Sequence, residues 1–173
     1  MKALILTATA IAITAAAPAQ AGDVFGGLYA HNVNTPLSFG SPEGGLDVQL
    51  GYRADPIIGA LKLEPYIFGA LNTKGDTSYA AIGLSRKFGD RVYVRPGIGL
   101  AIHTGSAAKF ENPFNNKIEF GSRILFEPEL GIGFKASERM SIEASWVHMS
   151  HATLFARQNP GIDNIGARLN FTL

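Results

Sequence analysis

Over 91–102, and again over 123–134, apolar side chains return at every second position, and the positions between them hold mostly charges and glycines. Over 91–102 one parity reads Val92, Val94, Pro96, Ile98, Leu100, Ile102 and the other Arg91, Tyr93, Arg95, Gly97, Gly99, Ala101. Over 123–134, Ile124, Phe126, Pro128, Leu130, Ile132 and Phe134 alternate with Arg123, Leu125, Glu127, Glu129, Gly131 and Gly133. The stretch 61–71 and the end of the chain (Ile165, Ala167, Leu169, Phe171, Leu173 against Asn164, Gly166, Arg168, Asn170, Thr172) repeat it. Period two is the signature of a strand with two unlike faces. Eight candidate strands follow: 24–32, 46–54, 61–72, 77–87, 91–104, 119–135, 139–151 and 162–173. In 24–32 both parities contain apolar residues and glycine, so its facing is left open.

Alternation alone fits a soluble sandwich, with charges outside, and a membrane barrel, with apolar residues on lipid and a polar interior. Three features favour an eight-stranded antiparallel transmembrane β-barrel. The polar parity mixes Glu64, Arg95, Glu127, Glu129, Glu143 and Arg168 with glycines, as a narrow lumen filled by ion pairs requires. The last strand is apolar on one parity and carries Phe171 near its end. The connections alternate in length: mostly long and polar at 33–45, 73–76, 105–118 and 152–161, mostly tight after the second, fourth and sixth strands. Short turns on one side and long loops on the other are expected of such barrels. Closure removes the open strand edges that lipid forbids. Eight strands leave an interior just filled by side chains, which argues against a pore.

The first residues read as an export signal. Lys2 precedes an apolar run from Ala3 to Ala17, then Pro18 and the small-residue site Ala19-Gln20-Ala21. The expectation is a signal peptide over 1–21, cleaved after Ala21, and a barrel domain over 22–173 in the bacterial outer membrane. The run is short for a retained span of roughly 20 residues. The remaining chain, about 150 residues, makes one domain. Cysteine is absent, so no disulfide contributes. A net charge of +1 argues against a nucleic-acid partner, which calls for a basic stripe.

The residues with chemistry to offer lie in Ser145-Trp146-Val147-His148-Met149-Ser150-His151-Ala152 and Asn159-Pro160-Gly161-Ile162-Asp163. Parity places His148 and Ser150 on the lipid side with Ile142, Ala144 and Trp146, at the outer end of the seventh strand. Asp163 shares parity with the apolar residues of the last strand. Polar groups on a lipid face are costly unless they partner one another or do work. The hairpin between the two strands brings Asp163 beside His148. A serine hydroxyl, an imidazole to take its proton and a carboxylate to orient the imidazole are the parts of a nucleophilic triad. A histidine and a serine at a barrel rim are also common as plain interfacial residues.

These residues resemble the PagL-type lipid A 3-O-deacylases, acyl hydrolases of the outer membrane. The resemblance covers the barrel in length and strand count, and is specific in His148-x-Ser150 and in Asn159-Pro160-Gly161-Ile162-Asp163. It implies Ser150 as nucleophile, His148 as base and Asp163 as acid. It also implies hydrolysis of the ester-linked 3-hydroxyacyl chain at position 3 of lipid A, in lipopolysaccharide, with no metal or organic cofactor. The chain departs from the family twice. Its acid is aspartate where better-known members have glutamate, and His151 follows the serine where asparagine is often assigned to the oxyanion site. A backbone N–H from His151 or Ala152 could serve there instead.

Other residues invite weaker readings. His31 and His103 are lone histidines and do not make a metal site. Lys109, Lys117 and Arg157 could meet lipid A phosphates, or be ordinary loop charges. Trp146 could pack on an acyl chain or belong to an aromatic girdle. Asn164 adjoins Asp163, but its parity is luminal. Glu127, Glu129 and Glu143 with Arg95 and Arg168 read as a structural interior network. A homodimer could cover a surface site, and no sequence signal decides it. The rival functions are a non-enzymatic barrel of adhesin, opacity or structural type, acting through 33–45 and 105–118, and an acyltransferase or phospholipase on a similar barrel.

Overall fold

The computed structural model describes residues 22–38, 42–57, 60–109, 112, 114–154, 157 and 159–173. The expected signal peptide, 1–21, lies outside them. The strands are β1 (Asp23–Ala30), β2 (Leu46–Arg53), β3 (Glu64–Asn72), β4 (Tyr79–Ser85), β5 (Phe88–Gly89), β6 (Val92–His103), β7 (Ile124–Lys135), β8 (Met140–Met149) and β9 (Ile162–Thr172). The two residues of β5 prolong β4 along β6, so the sheet has eight staves. Each stave pairs antiparallel with the next in sequence, and β1 pairs with β9, which closes the barrel.

Its surface is inverted relative to a soluble protein. Outward-facing Leu50, Leu71, Val92 and Ile98 are 66%, 70%, 65% and 63% exposed. Inward-facing Arg53, Arg168, Glu127 and Glu143 are each at most 1% exposed. An apolar outer wall around a polar, filled lumen is what lipid requires. β1 resolves its facing with Phe25 and Tyr29 inward and Val24 and Leu28 outward.

Inside, Arg168 Nη2 donates to Glu129 Oε2 at 2.8 Å and its Nε donates to Tyr29 Oη at 2.8 Å. Arg53 Nη2 donates to the other Glu129 oxygen at 3.1 Å, and Arg95 Nη1 donates to Glu143 Oε2 at 2.9 Å. Arg95 also pairs with Glu64 at 3.1 Å, and Tyr66 Oη donates to Glu127. Buried charges persist only when paired in this way. Arg53 is a full member of this network, although its position at a strand end did not mark it. Glycines make the space: a Cβ at Gly131 would meet Glu143 Oε1 at 2.4 Å, and one at Gly133 would meet the Tyr93 ring at 2.1 Å.

Two strands start later than the alternation suggests. The stretch 61–72 is extended only from Glu64, because the chain turns at 60–62 with Lys62 at φ 48°. The stretch 119–135 is extended only from Ile124, because Gly121 at φ 75° turns the chain. Glu119 bridges to Ser106 instead. That turn folds Ile118 and Phe120 into the mouth, where Phe120 lies against His103 at 4.4 Å between ring centres. Glu43, from the β1–β2 connection, accepts the N–H groups of Thr77 and Ile118, both at 3.0 Å. His31 donates to Asp47 Oδ2 from Nδ1 at 2.9 Å and reaches Glu43 Oε2 at 3.4 Å. Three connections are thus tied together over the lumen.

Candidate active site

The site sits at the mouth end of β8 and β9, on the outer wall. The β8–β9 ladder puts His148 directly opposite Asp163. His148 Nδ1 is 2.9 Å from Asp163 Oδ1, and His148 Nε2 is 3.0 Å from Ser150 Oγ. Ser150 follows His148 by two residues, so both lie on one side of the strand. With Nδ1 protonated toward the carboxylate, Nε2 is left to accept the serine proton, the tautomer a nucleophilic triad needs.

Local sequence explains how β8 delivers these groups. The β7–β8 ladder runs from Lys135↔Ser141 to Glu129↔Val147 and lapses beside His148, where Pro128 has no N–H to give. It resumes at one bridge, with Phe126 donating to Ser150 O at 2.7 Å and Ser150 donating to Phe126 O at 3.1 Å. Immediately beyond, Ala152 and Thr153 adopt φ of 52° and 60°, and the chain leaves the wall. It returns through Asn159-Pro160-Gly161. Gly161 lies against the imidazole: a Cβ there would stand 2.7 Å from His148 Cε1.

The three residues face outward, as parity requires, yet they are not open to lipid. His148 is 7%, Ser150 8% and Asp163 0% exposed. Two covers account for this. The Trp146 ring stacks beside the imidazole at 5.9 Å between centres, and its Nε1 donates to Asp163 Oδ1 at 2.7 Å. The segment after β1 crosses Asp163 from the other side. There Ser38 Oγ donates to Asp163 Oδ2 at 2.8 Å, Thr35 Oγ1 donates to the same oxygen, and Val33 N–H donates to the Asp163 carbonyl at 2.7 Å. Sequence reasoning placed Trp146 at the site but missed its hydrogen bond, and missed Thr35 and Ser38 altogether.

The remaining sequence candidates fall elsewhere or change role. The His151 N–H is not a ready oxyanion donor, because it donates to Asn159 Oδ1 at 2.9 Å. The His151 side chain points inward and is buried, and Asn164 also faces the lumen, donating to Tyr79 Oη at 3.0 Å. His103 bonds the Ser122 carbonyl at 2.8 Å. Among the described residues no group of three His, Cys, Asp or Glu side chains could hold a metal ion. Lys109, Lys117 and Arg157 are exposed at the mouth end.

A family model described as lipid A 3-O-deacylase (PagL) matches residues 28–172. The chain belongs to that family. It is therefore an ester hydrolase of a bacterial outer-membrane barrel family, and its substrate class is lipid A. Among solved structures, the crystal structure of the outer membrane enzyme PagL superimposes with a TM-score of 0.61 at 19% identity, over 87% of this chain and 99% of that one. This likeness shows the fold. The Yersinia pestis outer membrane protein Ail, in a phospholipid bilayer nanodisc, aligns with a TM-score of 0.48 at 16% identity, over 87% of this chain and 99% of that one. No curated protein matches the chain.

Proposed function

We propose that this enzyme removes the ester-linked 3-hydroxyacyl chain at position 3 of lipid A with a Ser150-His148-Asp163 triad on the outer wall of its barrel. The observation that carries the reading is the continuous hydrogen-bonded chain from Asp163 Oδ1 through both imidazole nitrogens to Ser150 Oγ. Lipid A stays in the membrane and its acyl ester approaches along the apolar wall. Ser150 Oγ attacks the ester carbonyl as His148 Nε2 takes the hydroxyl proton. The tetrahedral intermediate collapses, the C–O bond to the sugar breaks, and His148 returns the proton to the departing sugar oxygen. Water then repeats the sequence on the acyl-serine and releases a 3-hydroxy fatty acid. Asp163 stays ionised, holding the Nδ1–H tautomer and stabilising the imidazolium. The low exposure of the site strengthens each of these interactions. We assign the oxyanion role to the Ala152 N–H, the other backbone donor named from the sequence.

The test is mass spectrometry of lipid A after incubation with detergent-refolded protein, beside Ser150→Ala. Loss of one 3-hydroxyacyl group with the unmodified protein alone is expected. The same loss with correctly folded Ser150→Ala would remove Ser150 from the mechanism. We also read residues 1–21 as a signal peptide and 22–173 as the mature barrel. A mature N-terminus at Gly22 after export is the expected mass.

A further inference from the structure

We propose that Thr35 and Ser38, on the segment between β1 and β2, are positioning residues that hold Asp163 for the reaction; the inference rests on the triad reading. Asp163 is fully buried, so its carboxylate must find its hydrogen bonds within the protein. Four donors supply them, two to each oxygen. His148 Nδ1 and Trp146 Nε1 take Oδ1, at 2.9 and 2.7 Å. Thr35 Oγ1 and Ser38 Oγ take Oδ2, the latter at 2.8 Å. The two hydroxyls reach across 128 and 125 residues of sequence. No part of the β8–β9 hairpin supplies a donor to Oδ2 among the described residues.

The consequence is rotational. Rotation about the last torsion of an aspartate is broad and only weakly held by the side chain itself, so hydrogen bonds to its oxygens decide where it rests. Bonds to Oδ2 stop that rotation and keep Oδ1 on the imidazole, so the tautomer of His148 is set from the far side of the carboxylate. The strap is itself fixed. Thr35 and Ser38 exchange main-chain bonds at 3.0 and 3.3 Å around Pro36-Leu37. The Leu37 N–H donates to Thr35 Oγ1 at 3.0 Å, which aims the hydroxyl hydrogen at Asp163. Two anchors are independent of the hydroxyls: Val33 N–H on the Asp163 carbonyl at 2.7 Å and Asn32 N–H on Asn164 Oδ1 at 2.9 Å. Removing the hydroxyls therefore leaves the strap docked and frees only Oδ2 of the carboxylate.

The experiment compares Thr35→Val/Ser38→Ala, Thr35→Val and Thr35→Ser with the unmodified protein. Purified lipid A in detergent micelles is the substrate, and the heat-modifiable gel mobility of folded barrels is the folding control. Ser150→Ala and His148→Ala are run alongside. The double variant is expected to lose about tenfold to a hundredfold in kcat, the worth of bonds to a charged group, with KM little changed. Thr35→Ser, which keeps the hydroxyl, restores kcat, and does so even if the double variant refolds poorly. An unchanged kcat in the folded double variant would overturn the proposal, as would a Thr35→Ser variant no better than Thr35→Val. Full activity in Ser150→Ala or His148→Ala would instead sink the triad reading itself.

Discussion

His148 and Asp163 stand opposite each other in the β8–β9 ladder, so strand register brings imidazole and carboxylate within reach of each other. Register in a closed barrel cannot slip without turning every apolar residue of the strand inward. Asp163→Asn should therefore keep the barrel and the approach of the two side chains, yet lose the negative charge and the correct tautomer. The expected loss in kcat is about 10³–10⁴-fold, with KM nearly unchanged. Steady-state kinetics on lipid A in micelles reads it. A loss below tenfold would mean that Asp163 only fills space beside Trp146.

Gly161 offers a test of imidazole placement that leaves every proposed catalytic group in place. A methyl group there would stand 2.7 Å from His148 Cε1 and 3.3 Å from Nε2, closer than side chains pack. The ring must shift, and Nε2 leaves Ser150. Displacements of this size at a reacting geometry cost about a hundredfold. Gly161→Ala should lose activity on that scale, with unchanged gel mobility and thermal unfolding. Activity within a factor of two of the unmodified protein would show that His148 has room to yield.

How much of this was legible in the sequence follows from periodicity. The eight staves, the luminal Glu64, Arg95, Glu127, Glu129, Glu143 and Arg168, and the shared face of His148, Ser150 and Asp163 all follow from period two. Position parity is conserved as long as the strand is unbroken. Where the strand breaks, parity is silent. Thr35 and Ser38 lie in a turn, and nothing in Thr35-Pro36-Leu37-Ser38 points to a carboxylate 128 and 125 residues away. Arg53 stands near the end of the stretch 46–54, where the alternation stops and parity no longer marks a face. Ile118 and Phe120 looked like the edge of a polar loop and a strand, and only the turn at Gly121 carries them into the mouth. The bond of the His151 N–H to Asn159 was not legible either, because Asn159 is brought back by the loop rather than by the ladder.

The luminal network sets stability, not chemistry. Arg168 bonds Glu129, Tyr29 and Ser145 at 2.8, 2.8 and 2.9 Å, and lies 3.6 Å from Glu143. Arg168→Met removes one partner and leaves two buried carboxylates less compensated. Breaking a buried pair from one side costs about 3–5 kcal/mol. Equilibrium unfolding in urea from detergent micelles should show a loss of that size, while the folded fraction keeps its kcat. A change under 1 kcal/mol would mean that water enters the lumen and screens the pair.

The mouth should loosen on the alkaline side. His31 lies beyond the end of β1. Burial by itself would lower its pKa, but hydrogen bonds to Asp47 and Glu43 outweigh that and raise it from 6.5 to about 9. Glu43, whose carboxyl is held below its usual range by His31 and by the Ile118 and Thr77 N–H groups despite burial, ties the connections together. A group whose pKa is higher folded than unfolded adds stability in full below its unfolded value. That contribution is therefore intact below about pH 6.5, falls between there and about 9, and is gone above. The unmodified barrel should lose thermal stability as pH rises through this window. His31→Gln, which never carries the charge, should start lower and lack that fall. The triad does not touch His31, so kcat near neutral pH should be alike in the two proteins. Parallel stability curves for both between pH 6 and pH 10 would show that the His31 charge does not hold the mouth.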